Sequence, residues 1–202
     1  MMNKRLVSLL VSLMLVFCAT AGLAEGVYES DGFNVSYPEG WVLMDKSTIA
    51  AVTDMVSGGQ IEGIDPAAIA QYAAQIDSMD MVIVMSADST MNANFIVQAV
   101  GMQLTPDMIL PQAPSFLSQY EAAFSGCEVL DPGSVVTYGE NEYVQIAIKA
   151  QVMGAELVIA QLLCGSETNL HIISITTRIT ESFDETVVDA AFDLIASSYQ
   201  AK

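Results

Sequence analysis

Basic residues are scarce in this sequence. Its 202 residues include six Lys and Arg against 24 Asp and Glu. Two of the six, Lys4 and Arg5, stand in an N-terminal stretch without acids, so residues 25–202 keep four bases and a net charge of −20. A chain so poor in cations does not track nucleic-acid phosphates, and it does not dock on anionic lipid. Histidine is scarcer still, with His171 alone. Any Ser-His or Cys-His mechanism must therefore run through that one imidazole. Three cysteines are too few for a disulfide-built scaffold, and six prolines with 13 glycines exclude collagen-like or low-complexity chain. Long apolar runs are also missing. The one at the start, Leu6 to Phe17, is about a dozen residues, short of the roughly 20 that span a bilayer.

That run reads instead as a secretory signal. Lys4 and Arg5 precede it, and the small-residue end Gly22-Leu23-Ala24 follows. Cleavage after Ala24 is expected, leaving residues 25–202 as an exported chain that begins at Glu25. Lipid attachment at Cys18 is the competing reading, weakened by bulky Phe17 where a small residue belongs. Two cysteines remain, Cys127 and Cys164. In an exported chain they either pair as a disulfide or are two buried thiols, and the residues leave both open.

Phe33, Val35 and Tyr37 alternate with Asn34 and Ser36, which predicts a half-buried strand entered through Asp31-Gly32 and stopped by Pro38. Trp41 to Met44 begins a second extended piece. Two short helices are expected next. One follows Ser47 or Thr48 and carries Ile49, Val52, Met55 and Val56; the other is capped by Asp65 with Pro66 at its first position. Strands are predicted from Met81 to Met85 and from Asn94 to Val100. Pro114 opens a helix with Phe116, Tyr120 and Phe124 at four-residue spacing. The second half reads as a meander: Val135 to Tyr138, Glu142 to Val152, Glu156 to Leu163 and Leu170 to Thr177. The turns between are too short for crossovers. A capping box from Ser182 to Glu185 opens a closing helix with the apolar stripe Phe183, Val187, Ala191, Leu194 and Ile195. Residues 25–202 thus form a single α+β domain, an antiparallel sheet with helices packed on it in an α/β/α layering.

The run Gly32-Phe-Asn-Val-Ser-Tyr-Pro-Glu-Gly-Trp41, with the late meander and terminal helix, resembles the PsbP-like superfamily. This is the fold of photosystem II extrinsic subunits and of DcrB-like exported bacterial proteins. The two helices between Ser47 and Met79 look like an elaboration of a bacterial subgroup. The resemblance implies a binding or assembly factor, not an enzyme. Phe33, Tyr37, Pro38 and Trp41 would shape a strand end and fill core. No functional residue carries over, and calcium or chloride retention does not, since no matching motif is present.

The remaining chemistry is thin. His171 alternates with Leu170 and Ile172 in an apolar strand, the setting of a structural histidine. No Gly-x-Ser-x-Gly elbow occurs, and Gly58-Gly59…Gly63 lacks the lysine of a phosphate loop. Asp88-x-Thr90-x-Asn92-x-Asn94 imitates a calcium loop, but Ala93 and Ala99 replace its glycine and its bidentate acid. Met79, Met81, Met85, Met91 and Met102 suggest Cu(I), yet two of them lie in the core-like run Met-Val-Ile-Val-Met. The acids scatter over turns and polar helix faces, as in Asp184, Glu185, Asp189 and Asp193, a solvated surface. Asn34-Val-Ser36 matches a glycosylation sequon within a strand and is read as chance. No catalytic residue, metal ligand or cofactor is assigned. The expectation is an exported non-enzymatic domain that binds another envelope or extracellular protein. A small-ligand or metal carrier with a pocket between sheet and helices is the alternative, and a carboxylate-dependent hydrolase comes third. The oligomeric state stays open.

Overall fold

The computed structural model describes residues 26–45, 48, 80–124, 126–152, 154–181 and 183–202. The leader with Cys18, the two helices expected between Ser47 and Met79, the Gly58-Gly59…Gly63 run and Ser182 lie outside these residues.

Ten strands and three α-helices are described, with a 3-10 turn (Leu110–Gln112) between the first two helices. In chain order they are β1 (Val27–Glu29), β2 (Phe33–Ser36), β3 (Val42–Met44), β4 (Asp80–Met85), β5 (Met91–Ala99), α1 (Pro106–Ile109), α2 (Ala113–Ala123), β6 (Glu128–Tyr138), β7 (Asn141–Val152), β8 (Ala155–Gly165), β9 (Asn169–Ile179), α3 (Glu185–Ser198) and β10 (Gln200–Ala201). The class is α+β. Seven strands form one antiparallel sheet in the order β3-β4-β5-β9-β8-β7-β6, and three form a smaller sheet, β1-β2-β10. The predicted meander is β6 to β9, each strand paired with the next in sequence.

Two expectations about strands change. The strand expected from Asn94 begins at Met91, since Met91 and Asn92 already pair with Thr177 and Thr176. The first meander strand starts at Glu128, seven residues before Val135, and crosses Pro132 by register shifts on either side of Asp131. A proline cannot donate to a ladder and fits only an edge strand or bulge, and β6 is the sheet edge. The sequence pattern broke there although the strand continues.

The period-2 alternation sorts the side chains of the large sheet onto two faces. On one face Val82, Val84, Ala93, Phe95, Leu162, Ile173 and Ile175 meet Phe33 and Val35 of the small sheet, Tyr37 just after it, and Ala191, Ile195 and Ala196 of α3. The rings of Phe33, Phe95 and Tyr199 stack with centroids 5.3 to 5.9 Å apart. On the other face α2 lays Ala113 and Leu117 over Ile146, Ile148, Leu157 and Ile159. Helices on both faces make the expected layering. Helix α3 begins differently from expectation. Its cap is Asp184, whose Oδ1 accepts from the Thr186 N–H at 3.0 Å and hydroxyl at 2.6 Å.

Candidate functional site

A groove of about 650 Å³ opens between α3, the β4–β5 hairpin and the end of β9. Its apolar surface comes from Pro38, Trp41 and Met91 below and from Val188, Ala190 and Ala191 of α3. Phe183, Val187 and Leu194 also line it, and they are 39, 63 and 39% exposed. The predicted stripe of α3 is therefore split: Ala191 and Ile195 are buried in the core, while these three side chains stay in solvent beside the groove. The signal was present in the sequence. Apolar residues at 187, 188, 191, 192, 194, 195 and 196 cover more of the helix circumference than one core contact uses.

The polar rim is built by local turn chemistry. In the hairpin, Asp88 Oδ1 accepts from the Ser86 hydroxyl (2.7 Å), the Thr90 hydroxyl (2.8 Å) and the Thr90 N–H (3.1 Å). The Ser86 hydroxyl in turn accepts from the Met91 N–H at 2.9 Å. Burial works against the charge on Asp88, but those hydrogen bonds outweigh it and hold its pKa below the usual aspartate value. Across the groove, the bonds from Thr186 do the same for Asp184. Both rim aspartates are thus carboxylates over the ordinary pH range. Thr177 and Thr180 add hydroxyls at the end of β9.

The four motif residues divide. Phe33 and Tyr37 are buried in the core, and Pro38 and Trp41 border the groove. The Trp41 N–H closes the intervening turn on the Pro38 carbonyl at 3.2 Å. Sequence reasoning gave all four a structural role and missed this second position.

The other candidates are placed elsewhere. His171 is fully buried, with Nδ1 2.7 Å from the Tyr199 hydroxyl and Nε2 3.0 Å from that of Ser166. Both ring nitrogens serve the core. Cys127 and Cys164 are free thiols, so the disulfide alternative fails. Register gives the reason: Glu128 and Val158 both face Lys149, while Val135 and Leu163 both face Val144. The thiols therefore lie two strands and at least six strand residues apart, roughly 20 Å along the sheet against the 7 Å limit on Cα separation for a bridge. Burial raises both thiol pKa values, that of Cys164 to about 12. Asp88 of the calcium-loop imitation commits Oδ1 to its hairpin. Met81, Met85 and Met91 are buried, whereas Met102 is exposed, and Met79 lies outside the described residues. Among the described residues no three His, Cys, Asp or Glu side chains are placed to hold a metal ion. No described helix is long and apolar enough to cross a membrane. Asn34 of the sequon lies in β2 between Glu29 and Gln200.

No protein-family model matches the chain. No curated protein matches it either. Its fold does match solved structures. A crystal structure from Bacteroides thetaiotaomicron superposes with a TM-score of 0.52 at 12% identity over 88% of this chain, which spans 48% of that protein's length. LpqN, involved in cell envelope biogenesis of Mycobacterium tuberculosis, superposes with a TM-score of 0.50 at 14% identity over 88% of this chain and 90% of LpqN. At such identities the likeness is one of fold: this chain shares the α+β architecture of these two proteins.

Proposed function

We propose that the chain is an exported, non-enzymatic binding or assembly-type domain of PsbP-like fold, and that the groove beside α3 is its binding surface. The observation that carries this reading is the pair of half-exposed apolar lips, Phe183 and Leu194, with Val187 exposed between them over an apolar floor. Apolar side chains grouped around a concavity mark interaction sites. The involvement of LpqN in envelope biogenesis supports an envelope or extracellular setting. A non-enzymatic role is supported by the state of the rim aspartates. A carboxylate-dependent hydrolase needs one carboxyl with a raised pKa as its acid, and both are lowered.

The second reading, a small-ligand carrier, is favoured by volume, since about 650 Å³ lies within the roughly 300–1,000 Å³ of ligand pockets.

Photo-crosslinking separates these. A crosslinking residue at position 187 or 194 in the exporting cell should yield a protein adduct, and one at Leu130 on the far sheet edge should not. Adducts at 130 alone would sink the groove reading, and a small-molecule adduct at 187 would promote the carrier. The exported form should begin at Glu25; a lipid-modified Cys18 at its terminus would overturn the proposed processing.

A further inference from the structure

We infer that the groove receives a basic segment with an apolar face, its cationic side chains meeting Asp88 and Asp184. This rests on the groove being the binding surface and adds the chemistry of what binds. The two aspartates stand on opposite sides of the groove, one on the β4–β5 hairpin and one at the cap of α3. Each commits Oδ1 to its own turn, and neither Oδ2 takes part in those bonds. Both are held ionised, so the groove presents apolar surface between two fixed negative charges.

Cations to neutralise them are not supplied by the described residues. Lys149 is already paired with Glu156 at 2.9 Å, and Lys202 reaches the Ser30 carbonyl at 2.7 Å. Arg178 borders the groove where its N–H donates to the Thr90 carbonyl at 2.7 Å. Strand alternation puts its side chain on the opposite face from Thr177, the face of its ladder partner Leu157.

Charge then sorts the occupants. A second copy brings another −20, and an anionic lipid surface is repelled likewise. A purely apolar occupant that covered the rim would strip water from two carboxylates and return nothing. A basic segment replaces that water with charged donors, and its apolar face covers Val187 and Leu194. The concavity holds a few side chains of such a segment, not a folded domain.

The test uses residues 25–202 and a phage-displayed library of random twelve-residue peptides, with the best peptide then synthesised. Trp41 is the single tryptophan and borders the groove, so its emission reports occupancy by a Trp-free peptide. Enriched peptides should carry Lys or Arg beside apolar residues. Asp88→Asn with Asp184→Asn should weaken the synthetic peptide about three- to tenfold. Asn caps turns and helices as Asp does, so that variant keeps its fold. Glu121→Gln with Glu167→Gln removes the same charge from α2, on the opposite face of the sheet, and from the β8–β9 turn, at the other end of β9 from Thr177. It should leave affinity within about twofold, since screening confines such charges to a Debye length of roughly 10 Å. Neutral or acidic enriched peptides that still shift Trp41 and are lost in Val187→Ser would overturn the basic-partner inference while sparing the groove. Equal weakening by the near and the distant acid pairs would also overturn it. Enrichment unchanged by Val187→Ser, with Trp41 silent, would overturn both.

Discussion

The hydroxyl of Tyr199 lies 2.7 Å from Nδ1 of His171, 28 residues earlier, and both side chains are sealed from solvent. Tyr199 is the C-cap of α3, and His171 faces inward from β9. Their bond ties the end of the helix that walls the groove to the centre of the large sheet. Tyr199 also stacks on Phe33 and Phe95, so one residue joins helix, small sheet and large sheet.

Tyr199→Phe keeps the ring stacking and removes the hydroxyl. The expected cost is about 1–3 kcal/mol of unfolding free energy, the penalty for a buried polar group that loses its partner. Urea denaturation reads it. An unchanged midpoint would show that His171 is satisfied without Tyr199. His171→Gln should likewise cost stability and leave peptide binding in the groove intact.

Gly165, the last residue of β8, lies against the Leu104 backbone, and a Cβ there would collide with the Leu104 carbonyl oxygen. Backbone cannot swing aside as a side chain can. Gly165→Ala should therefore destabilise by about 1–3 kcal/mol, as overpacking does. Calorimetry of the variant checks it, and an unaltered melting temperature would mean that the 104–165 approach is loose.

Alkali should destabilise the domain through two buried acids. Burial raises the thiol of Cys164 from 9.0 and the phenol of Tyr120 from 10.0, each to about 12. Both stay protonated in the folded chain at a pH where the unfolded chain ionises. Stability is full below pH 9 and falls as pH rises through about 12. Cys164→Ala and Tyr120→Phe should each flatten that decline in denaturation midpoints measured from pH 8 to 12. A decline of equal steepness in the double variant would assign it to other groups.

Salt should stabilise the protein. Repulsion among acids with few cations among them burdens the compact state, and screening relieves it. The melting temperature is expected to climb with sodium chloride from 0.01 M to 1 M, as the Debye length falls from roughly 30 Å to about 3 Å. Calcium at matched ionic strength should add nothing more. A calcium-only shift near 2.7 kcal/mol, as from about a hundredfold excess over a dissociation constant, would reveal acids brought together in an ion site.

Legibility in the sequence followed locality. Alternation in Phe33-Asn34-Val35 and in the β7 run, the short turns and the Pro114 helix are encoded within a few residues, and they appear as expected. The pairing of Gln200 and Ala201 with β2 depends on residues more than 160 positions away, and no local pattern announces it. Pro132 hid the first seven residues of β6 because a bulged edge strand obeys neither period. The groove stayed hidden for a related reason. The α3 stripe shows that apolar residues exceed the core's need, but which of them face water is decided by the hairpin and by Trp41, which approach from the other half of the chain. His171 went the other way: its single occurrence argued against catalysis, and the Tyr199 and Ser166 partners supply the positive account.

The small sheet also has a mechanical consequence. Strands β1 and β10 flank β2 and both run antiparallel to it, so they run parallel to one another. Tension applied between Val27 and Lys202 pulls the two outer strands in opposite directions along β2. The Lys202 N–H bond to the Gly32 carbonyl and the ladders on both sides then share the load at once, in shear, instead of opening one after another like a zip. A domain held by one end and pulled by the other would resist at this joint first, and the stacked rings of Phe33 and Tyr199 beneath it would slip only after the joint had gone.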